Sequence, residues 1–106
     1  MAKYLLEVSY TAEGAKGLLK EGGSKRRQVA EQAIKSAGGT MEAFYFAFGG
    51  KDAVVIIDAP DHATVLAASL VINASGFVNS RTTVLVTAEE IDQATKKSVS
   101  YRAPGQ

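Results

Sequence analysis

The sequence FYFAFGGKDAVVIIDAP, residues 44–60, carries the strongest structural pattern of this chain. Two runs rich in aromatic and β-branched residues flank a Gly-Gly-Lys-Asp segment, and neither run is polar enough for a surface loop. Glycine supplies the positive φ that a tight hairpin turn needs. The pattern therefore predicts a β-hairpin with strands over Thr40–Phe48 and Asp52–Ala59 and a turn at Gly49-Gly50.

Both faces of the predicted hairpin are apolar. One strand places Phe44, Phe46 and Phe48 on one face and Met41, Ala43, Tyr45 and Ala47 on the other, and the second strand alternates Val55 and Ile57 with Val54 and Ile56. A sheet that has helices on one face only should be polar on the other, so an apolar second face has to be covered. A second copy of the chain is the simplest cover. We therefore expect a homodimer, or a larger oligomer built from dimers.

The segments before the hairpin predict a strand, an irregular connection and a helix. Lys3–Tyr10 alternates apolar and polar residues in the way of a strand. Residues 11–23 contain glycines that weaken a helix, so we expect an irregular connection or a broken first helical turn there. Ser24 stands where the N-cap of a following helix is expected.

The segments after the hairpin complete a ferredoxin-like order. Asp61 is placed to cap a helix over residues 62–74, a strand follows over 77–87, and a short C-terminal helix begins at Ala88. The β-α-β-β-α-β order predicts an α+β fold, in which a four-stranded antiparallel sheet carries two helices on one face. Two such sheets would pair as in a dimeric α/β barrel. Residues 1–95 are expected to form the domain, and residues 96–106 a polar tail.

Composition excludes several classes of protein. The chain has 106 residues, a net charge of +1 and no cysteine. The absence of cysteine excludes disulfides, thiolate catalysis and cysteine-bound metal. A charge near zero predicts no general attraction to nucleic acid or to a membrane surface. Because no signal peptide and no apolar run of about 20 residues is seen, we expect a cytoplasmic protein.

The chain resembles the GYD-domain family, small bacterial proteins named for a Gly-x-Tyr-Asp-like hairpin turn. The resemblance covers nearly the whole chain through the ordered blocks SYTAEGAKGLLKEGG, GGSKRR, AFYFAFGGKD, VINASG and RTTVLVTAEEID. Lys51 occupies the tyrosine position of the signature, while Gly49 and Asp52 match it. The family is similar in fold to dimeric α/β barrel proteins, which include cofactor-free monooxygenases, isomerases and stress-response proteins. The resemblance implies this architecture and leaves the activity open.

Four residues are candidates for a ligand site in a cleft: Glu7, Tyr45, Asp52 and Arg81. Glu7 is a carboxylate within a strand, and burial without a partner would be costly. Arg81 is the candidate partner of Glu7 because this topology puts the first and fourth strands side by side. A structural ion pair with Arg81 or a polar cleft would each explain a carboxylate at this position. Asp52 is either a cleft carboxylate or a turn residue that accepts backbone hydrogen bonds. Tyr45 either lines a pocket or packs in a core or an interface.

A second candidate site is the basic run Lys25-Arg26-Arg27, which follows Gly-Gly-Ser at the start of a predicted helix. Cations are mildly unfavourable at a helix N-terminus, and free N–H groups together with arginines can hold an anion. The alternative is a solvated turn. His62, the single histidine, is expected to be an exposed first-turn residue, because no second ligand is spaced for a metal.

The leading hypothesis is therefore a domain that binds a small organic or anionic molecule in a sheet–sheet or sheet–helix cleft. The alternatives are a cofactor-independent monooxygenase or isomerase-like enzyme, supported by fold analogy, and a structural or regulatory assembly module. We expect no metal and no cofactor. The expected partners are a second copy and a small ligand, with no nucleic acid and no membrane.

Overall fold

The structure is a computed structural model that describes residues 2–106; Met1, the first residue of the predicted domain, lies outside them. The elements run in the order β1 (Ala2–Tyr10), α1 (Ala12–Glu21), α2 (Gly23–Ser36), β2 (Thr40–Phe46), β3 (Ala53–Ala59), α3 (His62–Ala74), β4 (Val78–Leu85) and α4 (Ala88–Thr95). The strands form one antiparallel sheet of order β2-β3-β1-β4. This arrangement confirms the predicted ferredoxin-like fold.

The core lies between the sheet and the helices α2 and α3. Alternate residues of β1 and β3 point toward the helices, and the most deeply buried large side chain is Tyr4, which is 1% exposed. Val65 of α3 is buried against the same cluster, and Ile34 of α2 packs on it. Burial of these apolar side chains holds both helices on one face of the sheet.

The prediction of an irregular connection over residues 11–23 is wrong. A regular helix, α1, fills most of it because Thr11 caps its start and accepts a hydrogen bond from the Gly14 N–H at 3.2 Å. Gly14 is buried, and a Cβ at that position would overlap the carbonyl oxygen of Phe77. The glycine that weakened the helix prediction is thus required for close packing of α1 on the segment before β4.

The N-cap of α2 is Gly22, and not Ser24 as predicted. Gly22 adopts a φ of 83°, and no side chain caps this end. Because Gly22 is also the C-cap of α1, this single residue turns the chain between the two helices. Only glycine adopts such a φ without strain. Arg26, in the basic run that follows this turn, lies near Tyr10 at the end of β1.

The connection between β2 and β3 is wider than predicted. β2 ends at Phe46, residues 47–52 form the loop, and the backbone N–H of Ala47 donates to the Asp52 carbonyl at 2.8 Å. Neither Gly49 nor Gly50 has a positive φ, so the predicted tight glycine turn is wrong. Phe48 is fully exposed in the loop.

A register shift between Met41 and Ala43 alters the predicted faces of β2. Before this bulge Met41 pairs with Ile57, on the helix side of the sheet, and after it Ala43 pairs with Ile56, on the other side. Phe44 and Phe46 also lie on the helix side, where their rings meet edge to face with centroids 5.1 Å apart. The phenylalanines therefore do not build the face opposite the helices. A bulge adds a residue to one strand, and the alternation beyond it is reversed.

The second face of the sheet, which we call the open face, is not covered by α1, α2 or α3. It includes Leu5, Val54 and Ile56, all half-buried, and the predicted hairpin is thus apolar on both sides.

Every residue from Val86 to Gln106 is exposed, and the molecule measures 56 × 32 × 24 Å with a radius of gyration of 17.1 Å. A compact chain of this length would have a radius of about 13 Å. The C-terminal segment that contains α4 therefore projects from the body.

No helix within residues 2–106 combines the length and the apolar character needed to cross a membrane.

Candidate functional site

An apolar groove lies between α2 and α3, with the sheet as its floor. Its volume is about 110 Å³. The walls consist of short or aliphatic side chains and the floor of core residues, namely Ala30, Ala33 and Ile34 on α2, Val65, Ala68 and Ile72 on α3, and Leu6 and Val55 on the sheet. The alanines are too short to fill the space between the two helices. The groove is thus a product of small residues on facing helices.

A wider cavity of about 350 Å³, which we call the mouth, adjoins the groove at one end. Tyr10, Arg26, Ile72 and Val78 border both spaces, so they mark the passage from one to the other. The mouth is also lined by α1, through Gly14, Gly17 and Leu18. Such a mouth falls within the range of small-molecule sites, about 300–1,000 Å³.

Arg26 is the cation at this passage. Its side chain is 38% exposed, and Nη1 lies 3.7 Å from Oε1 of Glu21, whose side chain is 33% exposed. That distance is beyond a hydrogen bond, and an arginine binds a carboxylate best through two short parallel hydrogen bonds. Among residues 2–106, no hydrogen bond to the Arg26 guanidinium or to the Tyr10 hydroxyl is found. Both groups retain donors for a molecule in the mouth.

Tyr10, the last residue of β1, stands beside Arg26. Burial raises the pKa of its phenol, the Arg26 charge acts in the opposite direction, and Asp52 and Glu21 add to the rise. The phenol is thus protonated at neutral pH and is available as a hydrogen-bond donor. The Tyr10 backbone is held by Asp52, whose Oδ2 accepts the Tyr10 N–H at 2.7 Å.

Three of the four residues predicted for a cleft lie in one row across the open face. Tyr45 pairs with Val54, Val54 with Glu7, and Glu7 with Arg81. The predicted adjacency of Glu7 and Arg81 is therefore present, but no ion pair joins them in the described part of the chain. Tyr45 is 71% exposed, and Arg81 is exposed as well.

The fourth residue, Asp52, does not join that row. Besides its bond to the Tyr10 N–H, its own backbone N–H donates to the Val8 carbonyl at 2.9 Å. It borders a shallow depression with Tyr10, Leu18 and Phe46. This geometry corresponds to the turn role considered for Asp52, and it links the β2–β3 loop to the end of β1.

The basic run separates into inward and outward residues. Arg26 lines the groove and its mouth, Lys25 is exposed, and Arg27 is exposed beside Phe44 and Phe46. The three residues therefore do not converge on one point, because successive residues of a helix point about 100° apart. Arg26 lines the groove and its mouth, whereas Arg27 borders a separate, open depression of about 230 Å³.

His62 has a partner that the sequence did not indicate. Its Nδ1 lies 2.5 Å from the hydroxyl of the buried Tyr4, and the two rings meet edge to face. The pair borders a shallow cleft of about 300 Å³ between α3 and β4. A buried tyrosine hydroxyl requires a partner, and His62 provides it. No group of three or more metal-ligating side chains is found within residues 2–106.

Tyr10 and Glu21 are the site residues that sequence reasoning missed. Tyr10 looked like an ordinary alternating strand residue, and Glu21 like a charged neighbour of a glycine pair. The sequence contained one signal for Tyr10: it directly precedes Thr11, and threonine is common at helix N-caps. A strand that leads directly into a helix ends at the edge of the sheet, and Tyr10 is therefore placed there.

The sequence model of the GYD-domain family matches residues 4–95 of this chain. The chain belongs to the GYD-domain family. Lys51, which the resemblance places at the tyrosine position of the family's turn, lies half-buried in the β2–β3 loop of this GYD domain, next to Asp52. No curated protein matched the GYD domain in sequence.

Two solved structures resemble this GYD domain in fold. The crystal structure of MtbAldR matches with a TM-score of 0.60 and 17% identity, over 97% of this chain and 57% of that one. The crystal structure of FFRP-DM1 matches with a TM-score of 0.50 and 15% identity, over 81% of this chain and 100% of that one. The GYD domain thus spans little more than half the length of MtbAldR. At these identities the likeness concerns the fold alone.

Proposed function

We propose that this GYD domain binds a small organic molecule in the sheet–helix cleft, with the apolar part in the groove between α2 and α3. The observation that supports the proposal is that an apolar groove and a wider mouth lie side by side and share Tyr10 and Arg26 as lining residues. Binding sites of small molecules combine mostly apolar walls with a few polar groups. This cleft has that composition.

The size of the groove limits the ligand to a slender apolar group. A space of about 110 Å³ accepts a short aliphatic chain more readily than a fused ring system. An unfilled apolar space also lacks packing contacts, so a ligand that enters it gains dispersion energy as well as burial. Filling the space with protein should therefore compete with the ligand.

The test is a pair of substitutions on α3. Ala68→Leu places a larger side chain in the groove, whereas Ala67→Leu adds the same atoms at an exposed neighbour. Calorimetric titration with octanol and with octanoate should show one saturable site per chain for at least one of them. Binding should be lost in Ala68→Leu and kept in Ala67→Leu. Equal binding by both variants, or no binding by the unaltered chain, would contradict the proposal.

Binding is favoured over catalysis by the side chains that line the cleft. Among the described lining residues the ionisable groups are Tyr10, Glu21 and Arg26, and no nucleophile–base pair is present. A phenol with a raised pKa is a donor rather than a base near neutral pH. The enzyme alternative therefore rests on fold analogy, which carries little weight for activity.

A second proposal concerns self-association through the open face. Leu5, Val54 and Ile56 form an apolar centre there, and Glu7 and Arg81 stand side by side without an ion pair between them. A two-fold axis through this face would bring Glu7 of one copy near the partner subunit's Arg81, because such an interface is self-complementary. Light scattering should give twice the chain mass of 11.1 kDa.

A further inference from the structure

Arg26 and Glu21 define the polar end of the cleft, and together they bear on the chemical class of its ligand. The inference that follows depends on the binding function proposed above, because it assigns a head group to the molecule that enters the groove. Its observations are the position of Arg26 at the passage between groove and mouth and the long contact between Arg26 and Glu21.

We propose that the ligand is an aliphatic monocarboxylate, with its chain in the groove between α2 and α3 and its carboxylate on Arg26. Arg26 borders both the apolar groove and the mouth, so a head group on its guanidinium leaves the chain in the groove. The planar guanidinium matches a carboxylate through two parallel hydrogen bonds. The Tyr10 hydroxyl beside it is a further donor.

Glu21 already shows that a carboxylate can approach Arg26 from the mouth. Its Oε1 stays 3.7 Å from Nη1, so the guanidinium is attracted to Glu21 but is not engaged by hydrogen bonds. A ligand carboxylate that reaches hydrogen-bond distance would replace this weak pair. Both side chains are about one-third exposed, so displacing Glu21 into water costs little.

The charges around the passage favour a head group with a single negative charge. Arg26 is the one cation that lines the mouth in the described chain, and Glu21 and Asp52 lie close enough to Tyr10 to raise the pKa of its phenol. A dianionic phosphate would face these two carboxylates with one arginine to balance them. A cationic head group would face Arg26 itself. A monocarboxylate pairs with Arg26 and, with one negative charge, is repelled less by these carboxylates than a dianion is.

The first arm of the experiment compares head groups on the same chain. Octanoate, octanol and octyl phosphate are titrated into the unaltered protein by calorimetry. A charge-assisted pair of hydrogen bonds should make octanoate bind at least about tenfold more tightly than octanol. Octyl phosphate should bind more weakly than octanoate. Tighter binding of the phosphate would overturn the monocarboxylate assignment.

The second arm tests the residues. Arg26→Gln should remove the preference for octanoate over octanol, whereas Lys25→Gln, at the exposed neighbour, should keep it. Glu21→Gln removes the competing carboxylate and should strengthen octanoate binding several-fold while octanol binding stays the same. If Arg26→Gln does not fold, the Glu21→Gln result carries the test. A preference that survives Arg26→Gln, or octanoate binding unaffected by Glu21→Gln, would overturn the inference.

The outcomes distinguish this inference from the binding function on which it depends. Equal affinities for octanol and octanoate, both lost in Ala68→Leu, would leave the groove as a binding site and overturn the carboxylate assignment. No binding of either molecule would overturn both. Octanoate binding that persists in Ala68→Leu would place the carboxylate site elsewhere and would likewise contradict both.

Discussion

Asp52 holds the end of β1 through one hydrogen bond, in which its Oδ2 accepts the backbone N–H of Tyr10 at 2.7 Å. The bond spans 42 residues of sequence and connects the β2–β3 loop to the residue that borders the groove, its mouth and the shallow depression. The resemblance to the family places Asp52 at the aspartate of its Gly-x-Tyr-Asp-like turn. Asp52 therefore supports the position of Tyr10 without itself lining the groove or its mouth.

Removal of this carboxylate should destabilise the fold. Asp52→Ala leaves the Tyr10 N–H without its acceptor, and hydrogen bonds to charged groups contribute about 1.5–3 kcal/mol. We expect a loss of that size in the free energy of unfolding, measured by urea denaturation. Lys51→Ala, at the preceding loop residue, is the control and should change stability by less than about 0.5 kcal/mol. A loss in Lys51→Ala as large as that in Asp52→Ala would indicate a general effect of the loop.

Two glycines of α1 should respond in opposite directions to the same substitution. At Gly14 a Cβ would overlap the Phe77 carbonyl oxygen, so Gly14→Ala should destabilise the domain by at least about 1 kcal/mol. At Gly17 a Cβ meets no atom within 4 Å, so Gly17→Ala should stabilise it by about 0.5–1 kcal/mol through helix propensity. Urea denaturation measures both. Similar gains at both positions would show that α1 does not pack closely on Phe77.

Tyr10 should make stability depend on pH in the alkaline range. Burial raises the pKa of its phenol above the ordinary value of about 10, so the folded state holds the proton more strongly than the unfolded state does. The contribution is fully present below about pH 10 and is lost as the pH rises through the folded pKa. The difference in unfolding free energy between the unaltered protein and Tyr10→Phe should therefore stay constant up to about pH 10 and shrink above it. A difference that also stays constant above about pH 10 would contradict the raised pKa.

A charge in the centre of the open face should prevent self-association. Ile56 lies between Leu5 and Ala43 in the sheet, and Ile56→Arg would place a cation in an apolar interface without a partner. Light scattering should then give a monomer at concentrations where the unaltered chain is a dimer. Ala67→Arg, on the exposed side of α3, is the matched control and should remain a dimer. Loss of the dimer in both variants would point to general unfolding.

Local patterns were sufficient for the order of the elements. Asp61 accepts the Thr64 N–H at 2.8 Å as the predicted N-cap of α3, and the alternation of Val54, Val55, Ile56 and Ile57 gave a strand that is apolar on both faces. These features depend on residues a few positions apart, so composition and spacing reveal them. The confirmed fold follows from them.

Residues far apart in sequence determined the rest. In the sequence, Gly14 argued against a helix because glycine has a low helix propensity. In the structure, the backbone of Gly14 packs closely against Phe77, a residue far away in sequence, and this contact cannot be read from the neighbouring residues. The bulge after Met41 reversed the face of one residue without any marked change in composition.

The candidate site was the least predictable part, for the same reason. Alanines on two helices enclose a groove only at the separation that the core sets, and Ala33 and Ala68 look like ordinary helix residues in the sequence. In the sequence, Arg26 cannot be distinguished from its basic neighbours Lys25 and Arg27. In the structure, the turn at Gly22 orients α2 so that Arg26 lies near Tyr10. The chain thus encodes its elements through neighbouring residues, and it builds its cavity through the distances between those elements, which depend on packing across the whole domain.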